Sequence, residues 1–223
     1  MNGRVAVIGG GSAGTMAMLR TVLNNNDCLF FPGSPQHKKA SRALWVRKIE
    51  NMPAHFGYQR GIEEPNAEVI KWLEASAFKE RLHLHRNLGV EKIQKLSTHF
   101  VLTDNKGEKH EADFVILCSG VMDVQPLFGE SLEPIFPFAN AQLIDYCLRC
   151  DGHHIMNKPT AVIGHTSSAA WVAIMLYERY RPPSMHLMGH GEAFQFDDQT
   201  RELMDMYGIQ RHQSPLTILH GDA

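Results

Sequence analysis

The N-terminal stretch "RVAVIGGGSAGTMAMLRTVL", residues 4–23, joins three patterns in a fixed order. An apolar run at residues 5–8 is typical of a buried strand, and the apolar spacing at the other end of the stretch is that of a helix. Between the two lies Gly9-x-Gly11-x-x-Gly14. Glycines at this spacing let the backbone turn tightly and approach a pyrophosphate, which the N-terminus of the helix then binds. The stretch predicts a strand, a turn and a helix that together bind a dinucleotide.

A second copy of this pattern occurs later in the chain. "AVIGHTSSA" at 161–169 aligns with "AVIGGGSAG" at 6–14, and a second helix-like run follows it. Gly164 occupies the first glycine position, but Thr166 replaces the second glycine, so a β-branched side chain stands where a pyrophosphate should come close. No arginine follows the next predicted strand to bind a 2′-phosphate. We therefore expect an α/β protein with two Rossmann-like units. The altered turn of the second unit makes NAD(P)H binding doubtful.

Composition excludes several classes of partner. The 223 residues are 43% apolar and 21% charged, with a formal net charge of −2, which is typical of a globular protein without a basic surface for nucleic acid or membranes. No apolar stretch reaches the roughly 18 residues that a membrane span needs, and the N-terminus lacks the features of a signal peptide. We expect a cytoplasmic protein with no nucleic-acid or membrane partner.

The segment "YCLRCDGHH", residues 146–154, contains a close cysteine pair, Cys147 and Cys150. In a reducing compartment such a pair favours metal or redox chemistry over a disulfide scaffold. A zinc site would need His153 or His154 as further ligands, but no second cysteine pair exists and the spacing fits no common finger. The sequence favours a redox-active pair and predicts no metal, while an inert structural pair stays open.

The residues around the two cysteines suit thiol chemistry. A thiolate is the reactive species, and a helix start or a neighbouring cation such as Arg149 lowers the pKa of a thiol. Asp151, directly after the pair, can carry the proton that a departing thiolate needs. His153 is a candidate auxiliary acid or base, and His154 is interpreted as solvated.

Other segments have structural interpretations. Cys28 and Cys118 lie in apolar, strand-like runs and are interpreted as inert core residues. A helix is predicted over residues 66–80, with Asn66 as its N-terminal cap and Pro65 before it. "THFVLTDNKGEKHEADF" reads as a hairpin with "DNKG" as its turn.

Taken in order, these motifs resemble the thioredoxin reductase family of FAD-dependent disulfide oxidoreductases. The resemblance rests on the first glycine turn, "IENMP" (49–53), "ILCSGV" (116–121), the CxxCDG sequence and the second turn, and it covers essentially the whole chain. It implies a thioredoxin reductase-like fold with an FAD-binding domain, of which 1–125 is the N-terminal part. Residues 126–223 would be the inserted NAD(P)-binding-like domain that carries the CxxC pair and is incomplete at its C-terminal end.

The resemblance also implies roles for individual residues. Asn51 would contact the flavin region, Gly164 would belong to the second nucleotide turn, and Cys150 would face the flavin while Cys147 attacks the partner disulfide. Asp151 would donate and accept the proton. The FAD pyrophosphate would be held by Gly9, Gly11, Ser12, Ala13 and Gly14, and the cofactor would be lined by Ser119 and Gly120.

The implied function is that of a flavin-dependent thiol–disulfide oxidoreductase. It would move electrons between FAD, the Cys147/Cys150 pair and a thioredoxin-like protein or a small-molecule disulfide or dithiol, as a homodimer whose small domain rotates about a linker at 124–137. Two alternatives stay open: a small-molecule dithiol oxidase that uses oxygen, and a non-catalytic redox sensor or flavin-binding module. The substrate, the reductant (NADPH, NADH, ferredoxin or none) and the direction of electron flow stay open as well.

The end of the chain departs from the family pattern. Members of the family return to the FAD domain for a final segment with a Gly-Asp motif. Gly221-Asp222 matches that pair but arrives too early, and we interpret the match as coincidental. We therefore expect a fragment whose FAD site is incomplete and holds flavin weakly.

Overall fold

The computed structural model describes residues 3–38, 41–121 and 123–221, so Asp222 of the Gly-Asp pair lies outside the described residues. Two compact units divide the chain, Met1–Asp123 (unit 1) and Val124–Ala223 (unit 2). The strands are β1 (Arg4–Ile8), β2 (Asp27–Phe31), β3 (Leu82–Leu84), β4 (Val90–Lys95), β5 (Phe100–Asp104), β6 (Lys109–Ala112), β7 (Phe114–Leu117), β8 (Thr160–Ile163), β9 (Met185–Met188) and β10 (Gln210–His212). The α-helices are α1 (Ser12–Leu23), α2 (Pro35–Lys38), α3 (Glu63–Ala75), α4 (Phe136–Asn140), α5 (Leu148–Asp151), α6 (Ser167–Tyr180) and α7 (Asp198–Met206).

Unit 1 contains a parallel sheet with the strand order β3-β2-β1-β7. Both faces of β1 and β2 are covered, which explains why their sequences are continuously apolar. One face packs on helices α1 and α3, and the other packs on an antiparallel sheet of β4, β5 and β6. The helix-side core contains Val5, Val7, Met18, Val22, Cys28, Phe30 and Leu73, and the opposite core contains Ala6, Leu29, Phe31, Leu102 and Ala112.

The predicted hairpin is present between β5 and β6. Asp104, only 1% exposed, organises its turn, because Oδ1 accepts the backbone N–H groups of Lys106 and Glu108 at 2.8 and 3.1 Å. Oδ2 lies 3.0 Å from Nε2 of His110. Burial alone would raise the pKa of Asp104, but these hydrogen bonds outweigh it and lower the pKa. Gly107 closes the turn with φ +86°.

Helix α3 begins earlier than the sequence suggests. It starts at Glu63, so Pro65 and Asn66 lie in its first turn and the prediction of Asn66 as the cap is wrong. Proline is tolerated there because the first N–H groups of a helix have no intrahelical partner. The amide of Asn66 instead donates to the carbonyl of Gly10 at 3.4 Å. This contact joins the helix to the glycine turn.

Unit 2 contains a parallel sheet in the order β10-β9-β8, with helices α6 and α7 packed on it. Its centre is formed by Ala173, Ile174, Leu187 and Met204, all fully buried. The second strand–turn–helix pattern is confirmed as β8 and α6, and the α/β class is confirmed for both units. Within the described ranges, no helix has both the length and the apolar character that crossing a bilayer requires.

Candidate functional site

The first glycine turn joins β1 to α1, and two of its glycines are required by the protein itself. Gly9 has φ +115°, and a Cβ there would lie 2.0 Å from the carbonyl oxygen of Cys118. A Cβ at Gly14 would lie 1.8 Å from the carbonyl oxygen of Gly9. No side chain fits at either position, because the turn presses against the end of β7 and the helix presses against the turn.

Gly11 is different, since nothing in the protein explains its lack of a side chain. Its φ of −76° and ψ of −177° are extended values that any residue adopts. A Cβ there would meet no atom within 4 Å. The space lies at the N-terminus of α1, where Ser12 and Ala13 are exposed. This open cradle, at the positive end of a helix, fits a pyrophosphate.

The end of β7 brings further predicted residues close to this turn. The N–H of Cys118 donates to the carbonyl of Ile8 at 2.7 Å, so the chain continues through Ser119 and Gly120 at the same edge of the sheet as the turn. Both residues are exposed, and Gly120 has φ +71°. Asn51 lies exposed in a segment without helix or strand, residues 45–62, and its predicted flavin contact stays a prediction.

A partly buried cluster that sequence reasoning missed anchors the start of that segment. Trp45 is 1% exposed and donates its indole N–H to Oδ2 of Asp123 at 3.4 Å. Arg42 donates Nε–H to the same oxygen at 2.8 Å and forms a second hydrogen bond with Oδ1. The hydrogen bond from Arg42 is the largest cause that lowers the pKa of Asp123. The partners lie too far apart in the chain for a sequence motif to connect them.

The second turn, between β8 and α6, is built differently at its second position. Thr166 caps α6 without a side-chain hydrogen bond and forms a β-bridge with Gln195. The N–H of Gln195 donates to the carbonyl of His165 at 2.8 Å. A neighbouring chain segment therefore runs along this turn. Gly164 keeps the first position, where a Cβ would lie 2.5 Å from the Cβ of Ala169.

A carboxylate also stands at the N-terminal end of α6. Asp197 donates its backbone N–H to the hydroxyl of Ser167 at 3.1 Å, and Ser167 is the first residue of the helix. The backbone N–H of Thr200 is the main cause that lowers the pKa of Asp197 to about 2, and the hydroxyls of Thr200 and Ser167 add to the effect. This charge is present at all physiological pH values and would repel a pyrophosphate. Thr166 and this carboxylate both argue against a dinucleotide at the second turn.

The cysteine pair forms a disulfide, with the Cα atoms of Cys147 and Cys150 separated by 5.2 Å. Cys147 caps helix α5, as expected for a CxxC pair at a helix start, and its sulfur accepts the N–H of Cys150 at 3.2 Å. Asp151 ends this helix and is 7% exposed, and a 3₁₀ helix, Gly152–Ile155, follows. His153 lies in that 3₁₀ helix, with its ring centroid 4.3 Å from the ring of His154. The structure thus places all four predicted catalytic residues, including His153, in one short segment.

The interpretation of His154 as a solvated side chain is wrong. Its side chain is 15% exposed, and its Nδ1 lies 3.0 Å from Oδ2 of Asp145, a residue that sequence reasoning missed. Burial raises the pKa of Asp145, and the hydrogen bond with His154 opposes the increase. The sequence offers one weak sign of this contact: an acidic residue lies just before the CxxC pair, and a histidine lies just after it.

The other two cysteines are free thiols. Burial raises the pKa of Cys28 to about 12 and also raises that of Cys118. A thiol that stays protonated is a poor nucleophile, which supports their interpretation as inert core residues.

Among curated proteins, a thioredoxin reductase is similar to this chain in sequence. The chain is 28% identical over 176 residues to the thioredoxin reductase of Helicobacter pylori strain J99. The match covers 77% of this chain and 51% of that protein, so the chain spans about half the length of the curated relative. No protein-family model matches.

Solved structures give a stronger likeness in three dimensions. The thioredoxin reductase from Giardia duodenalis matches with a TM-score of 0.75 at 18% identity, over 99% of this chain and 67% of that one. The thioredoxin reductase from Streptococcus pyogenes matches with a TM-score of 0.75 at 19% identity, over 100% and 68%. The fold is that of thioredoxin reductase. The resemblance inferred from the motifs is thereby confirmed at the level of the fold.

Proposed function

We propose that this chain carries the flavin turn and the redox-active disulfide of a flavin-dependent thiol–disulfide oxidoreductase. In this proposal, residues 1–125 are the N-terminal part of an FAD domain, and residues 126–223 are an NAD(P)-like domain that carries the cysteines. The observation that carries the proposal is the cradle at Gly11, which is open although the backbone there would accept any residue.

The residues of the first turn fit the pyrophosphate of FAD. Backbone N–H groups at the start of α1, from Ser12, Ala13 and Gly14, would bind its oxygens, and the helix dipole would favour its negative charge. Asn51, Ser119 and Gly120 would line the rest of the cofactor. When bound, FAD supplies an acceptor and donor of an electron pair.

The disulfide would exchange electrons with an external dithiol or disulfide. When an external dithiol reduces the protein disulfide, one of its thiolates attacks Sγ of Cys147. The Cys147–Cys150 bond breaks, and the sulfur of Cys150 leaves as a thiolate. The second partner thiolate then attacks the mixed disulfide and releases Cys147. The external dithiol is thereby oxidised to a disulfide, and the protein disulfide is reduced to two thiols. Asp151, buried and adjacent to Cys150, would hold the transferred proton, and His153 would assist it.

Anaerobic titration of the flavin-loaded protein tests this proposal. We expect a dithiol to bleach the flavin absorbance of the wild type, and Cys147→Ser and Cys150→Ser to abolish the bleaching while flavin stays bound. Asp151→Asn should slow the reaction and leave flavin binding unchanged. Bleaching that persists without the cysteines, or none with any dithiol, would refute the proposal.

A dithiol oxidase that delivers electrons to oxygen is the second candidate function. The carboxylate of Asp197 beside Ser167, together with Thr166, favours it, because the second turn does not fit NAD(P)H as an electron donor. Oxygen consumption with a dithiol, without oxidation of NADPH or NADH, would distinguish this candidate from a reductase. A redox sensor would bind flavin and form the disulfide but show no turnover in either assay.

The partner and assembly belong to the same proposal. The similarity to thioredoxin reductases supports a thioredoxin-like protein as partner, with a small-molecule disulfide or dithiol as the alternative. A homodimer in the cytoplasm is proposed as well. Light scattering on the purified flavoprotein tests the dimer, and turnover with thioredoxin against small dithiols tests the partner.

A further inference from the structure

Asp145 and His154 stand on opposite sides of the redox-active pair. Asp145 lies two residues before Cys147, and His154 lies four residues after Cys150. Their side chains meet at 3.0 Å, between Oδ2 and Nδ1, and are 26% and 15% exposed. The hydrogen bond therefore closes a loop, residues 145–154, that contains both cysteines.

The secondary structure inside this loop is too short to be stable alone. Helix α5 has four residues, and the 3₁₀ helix that follows it also has four. Isolated helical turns of this length are unstable in water, because their nucleation costs more than their few hydrogen bonds return. The disulfide constrains the loop only in the oxidised state. The contact between Asp145 and His154 involves no sulfur and can persist after reduction.

We propose that Asp145 and His154 are positioning residues that keep the reduced thiols of Cys147 and Cys150 close together and so set the reduction potential of the pair. This inference rests on the proposed redox function of the disulfide. A loop held closed raises the effective concentration of one thiol at the other, which favours the disulfide and lowers its potential.

Charged groups surround this contact. The carboxylate of Asp145 interacts with the charges of His154, His153 and Lys158. A hydrogen bond to an ionised carboxylate is stronger than one between neutral groups. We therefore expect the contact to hold the loop more firmly than a neutral hydrogen bond would.

A redox equilibrium without flavin turnover measures the effect. The 223-residue chain is equilibrated anaerobically with mixtures of reduced and oxidised dithiothreitol, quenched by alkylation, and scored for Cys147 and Cys150 by mass spectrometry. Two electrons and two protons pass from the reagent dithiol to the protein disulfide. Asp145→Asn and His154→Gln should shift the equilibrium constant towards the reduced protein by roughly three- to tenfold at neutral pH.

Matched variants isolate the contact from general charge effects. Asp205→Asn removes a carboxylate of the same unit that pairs with Arg211 at 2.7 Å, and it should leave the equilibrium unchanged. Asp145→Glu, which keeps the carboxylate, should restore part of the wild-type value. The double variant of Asp145 and His154 should shift no further than either single variant, because both remove the same bond.

The outcomes separate this inference from the proposed function. Equilibrium constants of both single variants within about twofold of wild type would overturn the positioning role, even if a dithiol bleaches the flavin. A shift in the equilibrium with no flavin reduction would support the positioning role and refute the oxidoreductase. If Asp145→Asn lowers the melting temperature strongly, His154→Gln decides the test.

Discussion

The two glycine turns have the same connection but differ in what occupies the start of the helix. Gly9 and Gly164 hold the same place at the end of a parallel strand, and in both turns an added Cβ would clash. At the second position, Gly11 leaves open space, whereas Thr166 lies beside a bridging segment whose Asp197 brings a negative charge. The first position serves the fold in both units. At the second position, only the first turn leaves room for a ligand.

Gly14→Ala should have the largest effect. Helix propensity alone predicts a gain of about 1 kcal/mol, but the new Cβ would lie 1.8 Å from the backbone oxygen of Gly9. We expect the clash to win and to reduce the free energy of unfolding by about 3 kcal/mol or more, measured by urea denaturation. Ala169→Gly, at the matching position of the second turn, is the control and should cost about 1 kcal/mol. Similar losses of unfolding free energy in the two variants would contradict the view that the two turns are packed differently at this position.

Gly11→Val should separate ligand binding from folding. The open space and extended backbone predict a change in unfolding free energy within about 0.5 kcal/mol. The side chain would fill the cradle, so we expect FAD affinity to fall by about 100-fold or more, measured by flavin fluorescence. Thr166→Val, the matched change in the second turn, should leave FAD affinity unchanged. Normal flavin binding by Gly11→Val would place the pyrophosphate elsewhere.

Thr166→Gly tests whether the threonine alone closes the second turn. The carboxylate of Asp197 remains beside Ser167 in this variant, so we expect NADPH affinity to change by less than about twofold. Calorimetric titration of the flavin-loaded protein measures the change. A large gain in affinity would show that the methyl and hydroxyl groups of Thr166 were the barrier, and the two turns would then differ by one side chain.

The smallest effect should come from the cap that Asp197 provides for α7. Its folded pKa of about 2 lies below the ordinary value of 3.8, so its stabilisation is present above the ordinary value and disappears as the pH falls towards about 2. Asp197→Ala should therefore lower the melting temperature at neutral pH and approach the wild type near pH 2. Asp197→Ser keeps a capping oxygen and should stay closer to the wild type at neutral pH. A melting difference that is constant with pH would rule out the ionised cap.

The features that could be predicted from the sequence are those that depend on local patterns. The strand, turn and helix around Gly9 follow from apolar periodicity and glycine spacing within one short stretch. The start of α3 was missed because Pro65 suggests a boundary, although proline is tolerated in a first helical turn. The anchoring of Trp45 by Asp123 depends on how distant segments pack, and the contact between Asp145 and His154 depends on how the chain folds back around the cysteines. No spacing rule indicates such contacts, so they required the tertiary structure.

The empty space at Gly11 also bears on how such a protein diverges. Because a side chain there would contact nothing in the protein, a mutation at this position would remove the proposed binding site without a folding penalty. Selection on stability would not detect it, and only selection for the cofactor would. The second turn shows that the fold accepts a side chain at this position, since Thr166 caps an intact helix over a well-packed sheet. A unit of this kind can thus carry a side chain at its second turn position and keep its fold.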